Sequence, residues 1–346
     1  MRLGGSTKGS ASPKHPADGI AEFWAWWVTA RPEIEAAIAA NAPERYEPDL
    51  TVAVHRIHPG LQWEVGGRDG DYQLVVTACG RPEPRSAAAR WLLAAPSERS
   101  GWAFHATRQP DPAALSLHLN VDSGAGKLAM AGLSVAVVED EQSWRVHVAV
   151  HHDGFAALAD AQRLDIAYLA LDWALGEQDV QRWIGEVSTV AELPDAAIPI
   201  ASLATTVAGF AERHPRAFAL VGATVEGLPL TAVVQVPLSP VDFPLFDQHI
   251  AVAVPYAAMN AGRLQVGLSA ERIRAFDDAL SGLVGDDAVL AVAVSHDGRR
   301  VFHYYTDPLS SVAERVAAWD HGWPEGRVDI QVSSDPAWNA VRPFQP

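Results

Sequence analysis

A chain of 346 residues with 49% apolar and 20% charged side chains is globular in composition and long enough for two cores. Its formal charge of −16 argues against nucleic-acid binding, which needs Lys and Arg against phosphates, and against anionic membrane surfaces. The single cysteine, Cys79, excludes an intrachain disulfide and a cysteine-based zinc site.

Residues 1–18, rich in Gly, Ser and Pro, lack the apolar core of a signal peptide and read as an unstructured tail. No run of eighteen apolar residues occurs, so no membrane span is expected and the expected compartment is the cytoplasm. An N-terminal domain is expected over 19–192. It opens with Ile20, Phe23, Trp24 and Trp27 at helical spacing, an aromatic stripe of the kind that packs a helix on a sheet. Arg31-Pro32 predicts a break, and Ile34, Ala37 and Ile38 a second short helix. Thr51–His58, Leu61–Val65 and Tyr72–Thr77 read as strands, with Pro59-Gly60 and Arg68-Asp69-Gly70 as turns. Ser86 is placed to cap a helix to about Ala95, with Ala89, Leu92 and Leu93 inward. Strands follow at Trp102–Thr107, Leu115–Val121, Ser134–Val138 and Trp144–His152. A helix over Ala159–Leu175 carries Leu164, Tyr168, Leu171 and Leu175 on one face and stops at Gly176. Val180–Val190 reads as a strand, and Ala191–Ile200, with two prolines, as the boundary between domains.

Thirteen histidines raise the question of a metal, and spacing answers it. His147 and His151 share a strand face, but four residues span roughly 13 Å, too far for one ion held at about 2 Å from each nitrogen. His55 and His58, three apart on a predicted strand, point to opposite faces. No metal and no cofactor are expected. Ser123-Gly-Ala-Gly-Lys127 lacks the spacer and the following Ser or Thr of a phosphate loop and reads as a turn. Neither a Gly-x-Ser-x-Gly elbow nor a His-Glu-x-x-His pair is present. Glu139-Asp140-Glu141 reads as a solvated turn.

A C-terminal domain is expected over 199–346. Ile200–Glu212 reads as a helix, and Ala217–Val225, Leu230–Val236 and His249–Val254 as strands. Ser269 is placed to cap a helix stapled by Leu268 and Ile273, burying Ile273, Phe276, Leu280 and Leu283, and ending at Gly285. Asp297-Gly298 marks a type I′ hairpin that pairs Val294 with Val301, Val292 with His303 and Leu290 with Tyr305. Arg300, Phe302 and Tyr304 then fall on the other face. Asp307-Pro308 reads as the cap and first position of a helix carrying Leu309, Val312, Val316 and Trp319, and Val328–Val332 as the last strand. The fold class expected is α+β in two domains, each an antiparallel sheet packed with helices, the C-terminal one ferredoxin-like.

Arg300-Val-Phe-His-Tyr-Tyr-Thr-Asp307, the helix after it and Asp335-Pro-Ala-Trp338 resemble the bacterial domain of unknown function number 695. The resemblance covers about Ala288–Pro343. It implies a bacterial cytoplasmic setting and a fold, and no catalytic residues. Members of that family are sometimes fused to a domain like regulator B of ribonuclease E, a non-catalytic acidic inhibitor. Two functions stay open. One is a non-catalytic binding or regulatory protein that meets a basic protein partner. The other is a hydrolase or nuclease with a small-anion site. Candidate binding residues are Arg300, His303, Tyr305, Asp335 and Trp338. Oligomeric state is left open.

Overall fold

The computed structural model describes residues 16–68, 71–97, 101–121 and 126–344. Ser123–Ala125 of the glycine-rich turn, Asp69-Gly70 and the first fifteen residues of the expected tail lie outside the described residues; Pro16–Asp18 already belong to the first helix. The chain divides into two compact units at Ala106/Thr107. No described helix is long and apolar enough to cross a membrane.

The first unit runs α1 (Pro16–Ala39), α2 (Glu47–Ile57), β1 (Gln62–Arg68), β2 (Asp71–Thr77), α3 (Arg85–Leu93) and β3 (Trp102–His105). β1 pairs antiparallel with β2, and β3 is parallel to β2 because α3 carries the chain back across the sheet. The break expected at Pro32 is absent. The bond this proline cannot make would go to the Val28 carbonyl, on a face of the helix where Val28 is 67% exposed. The strand expected at Thr51–His58 is α2. Leu50, Ala53, Val54 and Ile57 are buried at the i, i+3, i+4, i+7 spacing of a helix, while Val52 faces out. In α3 it is Ala87, Ala88, Ala89 and Trp91 that are buried, and Leu93 is exposed. The aromatic stripe packs as expected. Trp24 stacks on Trp91 with centroids 5.1 Å apart and donates its indole N–H to the Trp91 carbonyl at 3.1 Å, and Trp27 meets Trp102 edge-on at 4.8 Å.

The second unit begins with the hairpin β4 (His118–Val121) and β5 (Gly126–Ala129). The predicted strand from Leu115 is shorter because Ala114–Ser116 form a 3-10 turn. Next come β6 (Ser134–Asp140), β7 (Arg145–His151), α4 (Asp160–Leu175), α5 (Glu177–Trp183), β8 (Ile184–Val190), β9 (Ile198–Pro199) and α6 (Leu203–Arg213), with a sheet ordered β8-β7-β6-β9. β7 and β8 are parallel, joined by α4 and α5, so this sheet too is mixed where an antiparallel one was expected. The first four residues of the predicted strand Val180–Val190 belong to α5, whose Glu177, Val180 and Trp183 are buried at intervals of three. The expected boundary Ala191–Ile200 falls inside this unit. β9 pairs with β6, and Ile200, Leu203, Val207 and Phe210 share one core with Val135, Val148 and Leu171.

The rest is β10 (Ala217–Val225), β11 (Leu228–Val236), β12 (Gln248–Pro255), α7 (Gly267–Val284), β13 (Ala288–His296), β14 (Arg299–Thr306), α8 (Val312–Ala318) and β15 (Asp329–Ser334). Its sheet is ordered β10-β11-β13-β14-β12-β15, each neighbouring pair antiparallel. Ile273, Phe276, Leu280 and Val284 of α7 and Val312 and Val316 of α8 cover one face, against Ile250, Val252, Phe302 and Tyr304. Asp297 and Gly298 take φ of 42° and 77°, as a type I′ turn requires. Val294 pairs with Val301 and Val292 with His303 as expected, but a bulge at Ala291 moves Leu290 from Tyr305 to Tyr304. Ser269 lies inside α7 instead of capping it. Its hydroxyl accepts from Ala258 N–H and donates to Glu325, while Leu268 is exposed rather than stapled to Ile273. Asp307 accepts the Leu309 N–H in a turn, and α8 starts later, so Leu309 is exposed.

α1 crosses α2 at Gly19, where an added Cβ would sit 2.6 Å from the Arg56 carbonyl oxygen. Gly19→Ala is therefore expected to lower the stability of the first unit by about 1–3 kcal/mol, read as an earlier denaturant midpoint with an unchanged slope.

Candidate functional site

Alternation along β14 sends Phe302 and Tyr304 to the helix-covered face, and Val301, His303 and Tyr305 to the other. On that second face the β12 register sets His249 opposite Tyr305 and Ala251 opposite His303. The chain returns over this face after β15. The Asp335 N–H donates to the Asp247 carbonyl at 2.7 Å, and Pro336 leads a turn closed by the Trp338 N–H on the Asp335 carbonyl. Trp338 has φ 55° and lays its ring flat on Tyr305, centroids 4.0 Å apart and planes 10° from parallel. Its indole N–H donates to the Phe246 carbonyl at 2.9 Å. Tyr305 and Trp338 are buried.

The Tyr305 hydroxyl donates to Asp335 Oδ2 at 2.8 Å. The Asp335 carboxylate also accepts the Asn339 N–H on Oδ1 and the Ala340 N–H on Oδ2, both at 2.9 Å. Burial alone would raise this carboxyl, but the bonds from Ala340, Tyr305 and Asn339, with His249 nearby, hold it below the usual carboxylate range. Tyr305 is displaced the opposite way. Burial, and then the bond to an acceptor that is already negative, push its phenol well above the ordinary value. The pair is a donor and an anion locked together, with no proton to exchange near neutral pH.

His249 Nε2 and His303 Nδ1 lie 3.0 Å apart, so one proton at most sits between them. Burial, and then the neighbouring His249, push His303 down to about 4. Burial also lowers His249, with Asp335 acting against it. Both rings are therefore neutral at pH 7.

Four of the five candidate residues, His303, Tyr305, Asp335 and Trp338, come together. Arg300 does not. It lies on the opposite face, where its Nη1 donates to Ser295 Oγ at 2.9 Å and its guanidinium rests over Phe302 at 5.3 Å. There, Asp277 on α7 is raised by burial, with Arg300 the main influence lowering it. His249 joins the cluster without having been picked out in the sequence. Its strand was legible there, but its partner is set by a register between segments 54 residues apart. Two cavities of about 230 Å³ flank Trp26 in the first unit, and a third of about 70 Å³ is lined by Trp144, Arg182 and Leu238; His303, Tyr305 and Asp335 line none of these. Among the described residues, no group of three or more His, Cys, Asp and Glu is arranged to hold a metal ion.

Two outcomes follow from this geometry. Trp338→Ala is expected to cost about 3–5 kcal/mol in equilibrium unfolding. The histidines give a pH dependence whose sign is set by their depressed values. As pH falls below about 6.5, the unfolded chain takes up protons that the folded pair refuses. Stability is complete above about 6.5 and declines toward 4, at about 1.4 kcal/mol per pH unit from His303, with His249 adding in the same direction. Urea midpoints measured across this range should fall for the natural chain and fall less steeply for His303→Gln.

Compared with known proteins, the chain matches no family model, no curated protein and no solved structure.

Proposed function

We propose that this is a non-catalytic binding protein that acts through contacts with a basic protein partner. The observation carrying that reading is the commitment of Asp335. Its two oxygens receive the Tyr305 hydroxyl and two backbone N–H groups, so the best-placed carboxylate fastens the chain end instead of facing a substrate. The hydrolytic alternative would set Arg300 beside His303 to bind a small anion, and the sheet separates the two. A charge of −16 favours a basic partner by speeding encounter and discouraging acidic competitors.

A ferredoxin-like fold for Gln248–Ser334 is supported by the element order β12-α7-β13-β14-α8-β15 and the strand order β15-β12-β14-β13. The likeness of Arg300–Asp307 and Asp335–Trp338 to the domain of unknown function 695, and the cytoplasmic setting it implies, stand beside this topology as part of the same proposal.

The test is affinity capture on the full chain at low ionic strength. A basic protein should be retained, and it should be released when salt rises from about 0.05 M to about 0.5 M, which shortens the screening length about threefold. Retention of no protein at low salt, or ester or phosphodiester turnover that His303→Ala abolishes, would overturn the proposal.

A further inference from the structure

Among the described residues, β10 ends the six-stranded sheet and no strand pairs with its long outer edge. Sheet edges in soluble proteins are ordinarily blunted by shortness, charge or proline. The other edges of the described sheets follow that rule. β3 has four residues, β9 has two and includes Pro199, β1 carries Glu64, β8 carries Glu186 and β15 carries Asp329. β10, Ala-Phe-Ala-Leu-Val-Gly-Ala-Thr-Val over nine residues, has no charge and no proline. Its Phe218 is 58% exposed and its Leu220 77%.

The hairpin fixes which backbone groups are free. Val225 pairs with Leu228 across the two-residue loop Glu226-Gly227, and that closing pair exchanges both of its bonds. Odd-numbered residues of β10 therefore direct N–H and C=O at β11. Phe218, Leu220, Gly222 and Thr224 direct theirs outward.

We infer that β10 pairs antiparallel with β10 of a second copy about a two-fold axis at Val221, joining two six-stranded sheets into one. In this register Leu220 meets the second copy's Gly222 and Phe218 meets its Thr224, the residues whose backbone groups face outward. These matches exchange about eight backbone hydrogen bonds in all. They also set a large side chain against a small one each time, so the exposed Phe218 and Leu220 gain cover without crowding. The same register brings Arg216, half exposed and held by Asp242 at 3.0 Å, opposite the second copy's Glu226 at both ends of the strand pair. Register, hydrogen-bond phase, side-chain volume and charge agree on a partner identical to the strand itself. This inference is independent of the basic partner proposed above.

Sedimentation velocity on the full chain from about 1 to 100 µM tests it, with the mass expected to rise toward twice 37.1 kDa. Gly222→Pro removes an outward N–H and leaves the β10–β11 ladder intact. Leu220→Lys places a charge on the edge. Each should weaken dimerisation at least about tenfold, while the thermal midpoint taken at the dilute end, where the natural chain is monomeric, stays unchanged. In a Cys79→Ser background, Val221→Cys should form a disulfide dimer on mild oxidation, because the two residues oppose each other on the axis, whereas Ala219→Cys should not. A chain that stays monomeric throughout, a dimer indifferent to both edge variants, or cross-linking at 219 instead of 221 overturns the inference.

Discussion

The bond from Tyr305 to Asp335 holds the second face of the six-stranded sheet shut. α7 and α8 cover only one side, and a sheet with one apolar face left wet has no stable core behind it. The missing layer comes from irregular chain, Leu238–Asp247 and Asp335–Phe344. Phe243, Phe246, Trp338, Val341 and Phe344 from these segments pack on Val234, Val292, Val294 and Tyr305. Loops make poor layers because their backbone groups need partners. Here the partners are supplied locally. Asp335 takes two backbone N–H groups of its own segment, its N–H reaches the Asp247 carbonyl, and the Trp338 indole takes the Phe246 carbonyl. Tyr305 ties this self-bonded layer to the sheet by hydrogen bond and stacking together.

The histidine pair shows why proximity of titratable groups is weak evidence for chemistry. His303 and His249 are adjacent, depressed and beside a carboxylate, features that mark many active sites. What separates them from one is the direction of every constraint around them. Burial keeps both neutral, the nearby Asp335 carboxylate already accepts three hydrogen bonds, and the aromatic rings of Tyr305 and Phe344 pack beside them. The result is a polar contact satisfied within an apolar layer. Its energetic consequence is a folded state that resists protonation.

The sequence was most legible where the determining interactions are local. The Asp297-Gly298 turn, the stop at Gly285 and the stripe of α7 depend on residues a few positions apart; the first two are present, and the stripe buries Ile273, Phe276 and Leu280 as expected but ends on Val284, with Leu283 half-buried. Legibility failed where distant context decided. Val52 and Val54 alternate like a strand, yet Leu50, Ala53, Val54 and Ile57 are the face that α2 buries. The bulge at Ala291 could not be read from the hairpin turn, because it lies beyond the stretch whose register the turn dictates. Within the candidate cluster, the grouping of His303 with Tyr305 was visible as strand alternation. Their meeting with Asp335 depended on the chain folding back, and the same alternation separates Arg300 from them.

The first unit and the start of the second share one construction. β1-β2-α3-β3 and β6-β7-α4-α5-β8 each run as an antiparallel hairpin followed by a helical crossover to a parallel third strand. The shared order does not by itself require duplication. A tight turn can only deliver an antiparallel neighbour, and a helix that must cover the sheet returns the chain to the end at which a parallel strand begins. What differs is how each closes its far side. In the first unit aromatic rings from α1 fill the core around Trp91 and Phe104. In the second, α6 and the β9 strand complete a core of branched aliphatic residues around Val135, Val148 and Leu171. The same backbone route thus accepts two unrelated side-chain solutions, and the division at Ala106/Thr107 falls where one solution ends and the other begins.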